Sequence, residues 1–242
     1  MKNKSFKELD KLYKSLGNID KDYRNSNLNN FLLKLIKKHK KGGKILDVGA
    51  GSGHLIHILR NNNFDVTGIE PNKDQIKYAN KLYGIGDKII NMKIENIENL
   101  REKFDVITLI DTLEHIKDDQ KALKKLKKLL NKNGIILILV PAYQSLFCQR
   151  DKKIGHFRRY NKKALRKLIK QTGGKTIYSR YWNMLGVPIY FVTGKLLKMD
   201  INSSVRNKPK GILKKILFKW FEKIENKINL GFGLSIITIN RY

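Results

Sequence analysis

The stretch Ile45-Leu-Asp-Val-Gly-Ala-Gly-Ser-Gly53 decides how this chain folds. Its apolar start predicts a short buried strand at residues 44–48, and the three glycines predict a turn into a helix that begins near His54. Glycine permits a positive φ angle and lets a ligand approach the backbone closely. Strand, turn and helix in succession place bare backbone amides at the carboxyl edge of a sheet, where ligands bind in such folds.

Outward from this stretch, apolar segments alternate with segments of helical periodicity. Four further apolar segments predict strands, at residues 65–70, 89–94, 104–110 and 134–140. Helices are predicted before and between the strands, at residues 5–16, 27–41, 54–61 and 118–131. Strands that alternate with helices and are apolar along their length indicate a parallel sheet covered on both faces. The predicted fold class is a doubly wound α/β domain.

Beyond Pro141 the pattern changes. The sequence there predicts a polar loop at residues 141–160, a helix at 161–172, a strand at 175–181, a largely helical stretch at 185–228 and a last strand at 234–241. Residues 211–228 place apolar side chains on one helical face and lysines on much of the rest. Such a helix either packs on its own domain or a partner subunit, or lies on an anionic membrane.

Composition narrows the class of protein. The chain has 242 residues and a single cysteine, Cys148, which excludes a disulfide scaffold and fits a reducing compartment. No apolar run approaches the length of a spanning helix and no apolar leader is present, so we expect a cytoplasmic protein. The formal net charge is +30, and 41 of the 51 basic residues are lysine. That excess of lysine reflects either an AT-rich coding sequence or an attraction of the protein to phosphates or to an anionic membrane.

The glycine turn differs from the dinucleotide-binding fingerprint. Its spacing is Gly49-x-Gly51-x-Gly53, and the acidic Asp47 precedes it inside the strand. A carboxylate aimed at the turn would repel a pyrophosphate, whereas it suits a cationic ligand that carries an ammonium and a sulfonium. Glu70, at the end of the second predicted strand, is placed to accept both hydroxyls of an adenosine ribose.

With these residues the chain resembles the class I S-adenosylmethionine-dependent methyltransferases over residues 20–180. Val66–Glu70, Phe104–His115 and Leu130–Pro141 carry the resemblance further. It implies a Rossmann-like, doubly wound, seven-stranded sheet with a final antiparallel strand, a C-terminal helical cap and S-adenosylmethionine as cofactor. The implied parts are N-terminal helices closing over the cofactor (1–41), the core (42–181), the cap or membrane-facing insertion (182–230) and the last strand (231–242).

The resemblance also implies roles for single residues. The three glycines form the turn under the methionine portion, Asp47 orients that turn, and Glu70 binds the ribose. Asn96 stands where relatives have an aspartate that meets the adenine amino group, although Glu95 replaces the usual glycine. Asp111 faces the methionine end of the cofactor. Arg24, in Tyr23-Arg24, either pairs with the methionine carboxylate or is a surface arginine.

The segment Asp151-Lys-Lys-Ile-Gly-His-Phe-Arg-Arg-Tyr160 is similar to a signature found in a subgroup of the family near surface-polysaccharide and lipid-linked glycan genes. His156 is the candidate general base, or else locks the loop by a hydrogen bond. Arg158 and Arg159 either clamp a substrate phosphate or carboxylate or form internal salt bridges, and Tyr160 is assigned to the substrate with them. Histidines at 39, 54 and 57 have no metal spacing, so no metal site is predicted.

The acceptor is predicted to be an oxygen or nitrogen of a small molecule, most simply a sugar or lipid-linked glycan intermediate. An RNA methyltransferase is the first alternative: the positive charge favours it, and the absence of Asn/Asp-Pro-Pro-Tyr after the fourth strand disfavours it. A non-catalytic protein that binds the cofactor or a partner is the second. The oligomeric state stays open.

Overall fold

The structure, a computed structural model, describes residues 23–192 and 211–242. The helix predicted at 5–16 lies outside these ranges, as does most of the predicted N-terminal part. The break predicted near 201–209 and the second half of the apolar stretch at 185–199 also lie outside them.

Seven strands form one sheet in the order β3-β2-β1-β4-β5-β7-β6. The first five are parallel, whereas β7 runs antiparallel to both β5 and β6. The strands are β1 (Lys44–Val48), β2 (Asp65–Ile69), β3 (Ile89–Ile90), β4 (Phe104–Ile110), β5 (Leu130–Pro141), β6 (Lys175–Trp182) and β7 (Ser235–Arg241). The predicted seven-stranded, Rossmann-like sheet with its antiparallel last strand is confirmed.

Eight α-helices flank this sheet within the described residues. They are α1 (Tyr23–His39), α2 (His54–Arg60), α3 (Lys73–Tyr83), α4 (Asp119–Lys128), α5 (Gln149–Ile154), α6 (Lys162–Gln171), α7 (Gly186–Tyr190) and α8 (Gly211–Trp220). Asn72 caps α3, Asp118 caps α4 and Asn161 caps α6, each with a side-chain oxygen that accepts a backbone N–H. These polar caps fix where the helices begin, because they satisfy amides that would otherwise lack a partner.

The core lies in two layers, one on each face of the sheet. Along β5, Ile135, Leu137 and Leu139 pack with α1 and α2 on one face. The alternate residues Ile136 and Ile138 pack with α4 and α6 on the other. Successive side chains of a strand point to opposite faces, so an uninterrupted apolar strand is the expected pattern for a sheet covered on both sides.

Several boundaries differ from the sequence predictions, including the start of α1, which is Tyr23 and not residue 27. β3 is only two residues long, because residues from Ile94 turn into a 3₁₀ segment, Ile94–Asn99. β5 begins four residues early, where Leu130 pairs with Phe104 ahead of a bulge. The predicted loop at 141–160 contains α5, which the carboxylate of Asp151 stabilises by accepting the N–H of Cys148.

The C-terminal helical segment packs against α1. After α8, residues Phe221–Glu225 form a π-helical turn whose Phe221 is buried against Trp182. Asn226 donates to the carbonyl of Asn27, which joins this turn to α1. The apolar face predicted at 211–228 is therefore divided: Phe221 is in the core, but Ile212 is 77% exposed. No helix among the described residues is long and apolar enough to cross a membrane.

Candidate active site

The order of the strands creates a cleft at the carboxyl edge of the sheet. β1 lies between β2 and β4, so chain connections leave β1 in opposite directions and open a crevice above its end. Three non-glycine residues have positive φ at this edge: Asp111 after β4, Tyr143 after β5 and Asn183 after β6. Strained backbone of this kind clusters at functional sites.

The glycine turn after β1 lies in this crevice. Gly49, Gly51 and Gly53 all have positive φ, of 77°, 53° and 73°. A Cβ atom on Gly49 would lie 2.6 Å from the Thr112 hydroxyl, and one on Gly53 would lie 2.7 Å from Ile85 Cδ1. A Cβ on Gly51 would meet no atom within 4 Å. The turn therefore packs tightly at both ends and is open at Gly51, where a ligand can reach the backbone.

Glu70 stands beside that opening. One of its carboxylate oxygens accepts the N–H of Gly51 at 2.9 Å and the other accepts the N–H of Asn72 at 3.0 Å. The residue is only 4% exposed, and this burial raises the pKa of the carboxyl although both amides oppose the rise. Each oxygen has a further lone pair, so the carboxylate can also accept hydrogen bonds from a bound ligand.

Asp47 lies beneath the turn, within the sheet. Its Oδ1 atom accepts the hydroxyl proton of Thr108 at 2.6 Å, and the residue is 3% exposed. Burial raises the pKa of Asp47 from 3.8 to about 6, and the negative charge of Glu70 adds to the rise. Two buried carboxylates under one open turn produce a negative site, which suits a cationic ligand and not a pyrophosphate.

The other residues predicted to bind the cofactor lie farther apart. Asp111 is exposed at the end of β4, and Asn96 is exposed in the 3₁₀ segment that follows β3. Their contact with the cofactor stays a prediction. The guanidinium of Arg24, near the start of α1, lies 5.1 Å above the ring of Trp182. Its pairing with a carboxylate of the cofactor stays a prediction.

The loop after β5 folds back over the same edge. The N–H of Tyr143 donates to the carbonyl of Tyr160 at 2.7 Å and the N–H of Tyr160 donates to the carbonyl of Pro141 at 2.9 Å, which closes the loop at its base. Phe157 N–H donates to the carbonyl of Glu114 at 2.8 Å, and this bond joins the loop to the segment that follows β4. The loop is therefore held on the crevice and does not project from it.

Asp151 organises this loop from its interior. Its carboxylate accepts hydrogen bonds from Cys148 N–H, the Tyr190 hydroxyl and the Arg159 guanidinium, and it pairs with His156 Nδ1 at 3.0 Å. Asp151 is 1% exposed, and these partners hold its pKa well below the ordinary value despite its burial. The carboxylate joins α5, α7 and the loop into one unit.

The residues assigned to the substrate all have partners within the protein. The Arg159 side chain is 5% exposed and paired with Asp151. Arg158 pairs with Asp119 at 2.7 Å, and the Tyr160 hydroxyl donates to the same carboxylate at 2.9 Å. Of the two roles that the sequence left open for the arginines, the structure shows internal salt bridges. Contact of Arg158, Arg159 or Tyr160 with a substrate stays a prediction.

His156 shows the hydrogen bond that would lock the loop, and it lies beside Glu114 and His115. Its Nε2 atom is 3.8 Å from Glu114 Oε1, and its ring is in edge contact with that of His115 at 4.6 Å. Sequence analysis assigned Glu114 no role. Its position three residues after Asp111, just past a strand end, was the signal that could have identified it.

Comparison with known proteins agrees with this geometry. The profile of a family described as "Methyltransferase domain" matches residues 21–178, well over half of the chain. The chain belongs to this methyltransferase family. A solved S-adenosylmethionine-dependent methyltransferase from Archaeoglobus fulgidus superposes with a TM-score of 0.60 at 16% identity, over 92% of this chain and 97% of the other. That likeness confirms the fold of the methyltransferase domain.

Curated relatives match the methyltransferase domain over a shorter length. A ubiquinone biosynthesis O-methyltransferase of Pelagibacter ubique is 34% identical over 114 residues, which are 46% of this chain and 47% of the relative. A juvenile hormone acid O-methyltransferase of Bombyx mori is 27% identical over 119 residues, 46% of this chain and 43% of the relative. The chain thus spans about half the length of the curated relatives it matches.

The residues of the methyltransferase fit S-adenosylmethionine, the cofactor of this fold family. The space over Gly51 is open, a buried carboxylate stands beside it to accept ribose hydroxyls, and a second carboxylate lies beneath it. An open position at Gly51 and two buried carboxylates would therefore offer a sulfonium nucleoside a close approach to the backbone, a ribose acceptor and a negative field.

The glycines of the turn give a first prediction for the methyltransferase. Gly51→Ala adds a methyl group to open space at a left-handed residue, so we expect it to lower the free energy of unfolding by about 1–2 kcal/mol and to weaken S-adenosylhomocysteine binding at least about 10-fold. Gly53→Ala carries the same backbone cost and places Cβ 3.1 Å from Ala79 Cβ, and we expect a larger loss of stability.

Thermal unfolding and calorimetric titration of both variants check this contrast. If Gly53→Ala, at a temperature where both variants are folded, weakened binding more than Gly51→Ala, the opening over Gly51 would not be where the ligand lies.

Asp47 gives a second prediction: its replacement by asparagine should stabilise the fold but weaken cofactor binding. Its pKa is higher in the folded state than the ordinary 3.8, so ionisation destabilises the fold progressively as the pH rises from about 4 to about 6. Asp47→Asn removes that cost and still accepts the Thr108 hydroxyl. At pH 7.5 we expect the free energy of unfolding of the variant to be about 1–2 kcal/mol higher than that of the wild type. A pKa shift of two units represents roughly 3 kcal/mol, and the gain is smaller because the amide N–H groups of the new side chain are buried.

The same variant should bind S-adenosylmethionine about 10-fold more weakly, because a negative charge beneath the cation is lost. Wild-type affinity should fall as the pH is lowered through about 6, and the affinity of Asp47→Asn should change less over that range. Denaturant unfolding and calorimetry at pH 5 to 8 measure both effects; a variant that is less stable at pH 7.5 would contradict the prediction.

Proposed function

We propose that this chain transfers the methyl group of S-adenosylmethionine to an oxygen atom of a small molecule. The observation that carries the proposal is the open glycine turn at Gly51 beside the buried carboxylate of Glu70, in a chain that belongs to the methyltransferase family. The bound cofactor supplies a methyl group on a sulfonium, which needs only an acceptor positioned in line with it. Both relatives described above are named as O-methyltransferases, which supports oxygen as the acceptor atom.

The chain's own residues position the two reactants. Glu70 holds the ribose, Gly51 gives the backbone contact, and Asp47 provides the negative field below. The loop after β5 lies over the crevice and shields it from water on one side. His156 as the general base stays a prediction, and its Nδ1 contact with Asp151 fixes the ring orientation.

Apolar side chains around the loop support an acceptor with an apolar portion. Phe157 is 51% exposed on the loop, and Ile189 and Phe191 are 61% and 48% exposed on and just after α7. Tyr190, between them, donates to Asp151 and so fixes this segment against the loop. Exposed apolar groups gathered beside a binding crevice favour an apolar ligand.

A panel of acceptors tests the proposal. Tritiated S-adenosylmethionine is offered with phenols, carboxylic acids, amines, sugar nucleotides, polyprenyl-phosphate sugars and RNA. We expect label in a small molecule that bears a hydroxyl or carboxyl group, and none with Glu70→Ala. Label in the polyprenyl-phosphate sugar would identify the glycan acceptor predicted from the loop signature. Label only in amines or only in RNA would contradict oxygen transfer to a small molecule.

Contact with an anionic membrane is a separate proposal, supported by the exposed Ile212 and Ile216 of α8 next to exposed lysines. Flotation with vesicles of phosphatidylglycerol and phosphatidylcholine tests it. We expect binding at low salt that weakens in Ile212→Asp/Ile216→Asp, and absence of binding at low salt would remove the proposal.

A further inference from the structure

The segment after β4 and the loop after β5 bring together one carboxylate and two imidazoles. Glu114, His115 and His156 each offer one ligand atom, and these three atoms lie within 4.8 Å of one another. Glu114 and His115 come from a 3₁₀ turn, Leu113–His115, whereas His156 comes from a loop some forty residues later. The cluster therefore exists only when the loop folds over the crevice.

Glu114 is the unusual member of this cluster. The residue is 0% exposed, and neither of its carboxylate oxygens has a hydrogen-bond partner among the described residues. His156 Nε2 lies 3.8 Å from its Oε1 atom. Burial raises the pKa of Glu114 well above its ordinary value, and a buried carboxyl group without a partner stays protonated, pairs with a charge or coordinates a metal ion.

Both histidines are held so that one particular nitrogen faces the cluster. His156 Nδ1 is 3.0 Å from Asp151 Oδ1, so this nitrogen donates to the carboxylate and Nε2 is the nitrogen that faces Glu114. His115 Nδ1 is 3.2 Å from the carbonyl oxygen of Gly155, which likewise leaves Nε2 as its acceptor nitrogen. A carboxylate or a carbonyl behind a histidine is the arrangement that orients metal-binding imidazoles in proteins.

We propose that Glu114, His115 and His156 form a binding site for one divalent transition-metal ion at the carboxyl edge of the sheet. Two imidazoles with one carboxylate suit zinc or cobalt better than magnesium or calcium, which prefer oxygen ligands alone. Ligand atoms around a tetrahedral ion lie about 3.4 Å apart, so small side-chain rotations bring the three atoms into range.

The position of the site indicates its use. Glu114 and His115 follow Thr112, whose hydroxyl donates to the carbonyl of Val48 and whose side chain packs against Gly49. The ion would thus lie beside the glycine turn, under the loop. Three protein ligands leave coordination positions open, as in catalytic metal sites, and an acceptor oxygen could occupy one of them.

Cobalt(II) is the probe that tests the site. The full chain is stripped with EDTA, desalted and titrated with Co²⁺ alone, and binding is followed by visible d–d absorption and by thermal unfolding. We expect one ion per chain with a spectrum of nitrogen and oxygen ligation, and a higher melting temperature with cobalt. An absence of absorption at millimolar Co²⁺ would overturn the proposal.

Glu114→Gln and His156→Asn test the ligands, and His39→Asn, at the C-terminal end of α1, is the matched control. We expect Glu114→Gln to weaken Co²⁺ binding more than about 100-fold, which exceeds the loss caused by removing a residue that only hydrogen-bonds to a ligand. The same variant should raise the melting temperature of the metal-free protein. His156→Asn should weaken binding similarly and His39→Asn should not. Unchanged cobalt affinity in Glu114→Gln would overturn the proposal.

The metal site is separate from the cofactor crevice, but it would replace the general-base role predicted for His156, because a nitrogen that binds a metal ion has no lone pair left for a proton. S-adenosylhomocysteine titration reports on the cofactor crevice alone and Co²⁺ absorption on the cluster alone, so failure of one leaves the other measurable.

Discussion

Glu70→Ala should bind S-adenosylhomocysteine about 100- to 1000-fold more weakly than the wild-type chain. The carboxylate accepts backbone N–H groups from Gly51 and Asn72 and has lone pairs left for two ribose hydroxyls. Each hydrogen bond to a charged group is worth about 1.5–3 kcal/mol, and two bonds at the lower end of that scale, together about 3–4 kcal/mol, correspond to that range of affinity. Isothermal titration calorimetry measures the change directly.

Two controls separate binding from folding. Glu70→Gln keeps the size of the side chain and one acceptor oxygen, so we expect an intermediate loss of affinity. Glu222→Ala removes an exposed carboxylate on the π-helical turn and should leave binding unchanged. Wild-type affinity in a folded Glu70→Ala protein would show that the ribose lies elsewhere.

Asp151→Ala should lower the free energy of unfolding by about 3–5 kcal/mol. The substitution leaves the guanidinium of Arg159, whose side chain is 5% exposed, without its counter-ion, and a buried charge without a partner is costly in this range. It also removes the acceptor for the Tyr190 hydroxyl and for the N–H of Cys148, so α5 and α7 lose their common attachment.

Urea unfolding of Asp151→Ala and of Asp87→Ala provides the comparison. Asp87 pairs with Lys88 on an exposed surface, where an ion pair contributes at most about 1 kcal/mol. Nearly equal destabilisation of the two variants would mean that Asp151 does not organise the loop.

The central sheet and the cofactor crevice were predictable because they follow from local patterns. Ile45–Gly53 combines an apolar strand with three glycines. Glu70 follows the next parallel strand, so it lies at the same edge of the sheet independently of how the helices pack. The position of β5 in the centre of the sheet could be predicted without knowing its neighbours. Every residue from Ile135 to Val140 is apolar, which is the pattern of a strand whose two faces are both covered.

The loop over the crevice was not predictable in the same way, because its structure depends on contacts distant in sequence. Arg159 looks like a surface anion clamp until Asp151, eight residues earlier, is seen to face it inside the protein. Glu114 and His156 are separated by more than forty residues, and only the fold of the loop places them 3.8 Å apart. The short β3 depends on a 3₁₀ turn that the apolar pattern at residues 89–94 does not reveal.

A crystal structure of the chain with S-adenosylhomocysteine tests the central claim most directly. We predict the nucleoside over Gly51, with both ribose hydroxyls within hydrogen-bond distance of the Glu70 carboxylate and Asp47 beneath the turn. A ligand bound away from Gly51, or a dinucleotide in the crevice in its place, would contradict the account.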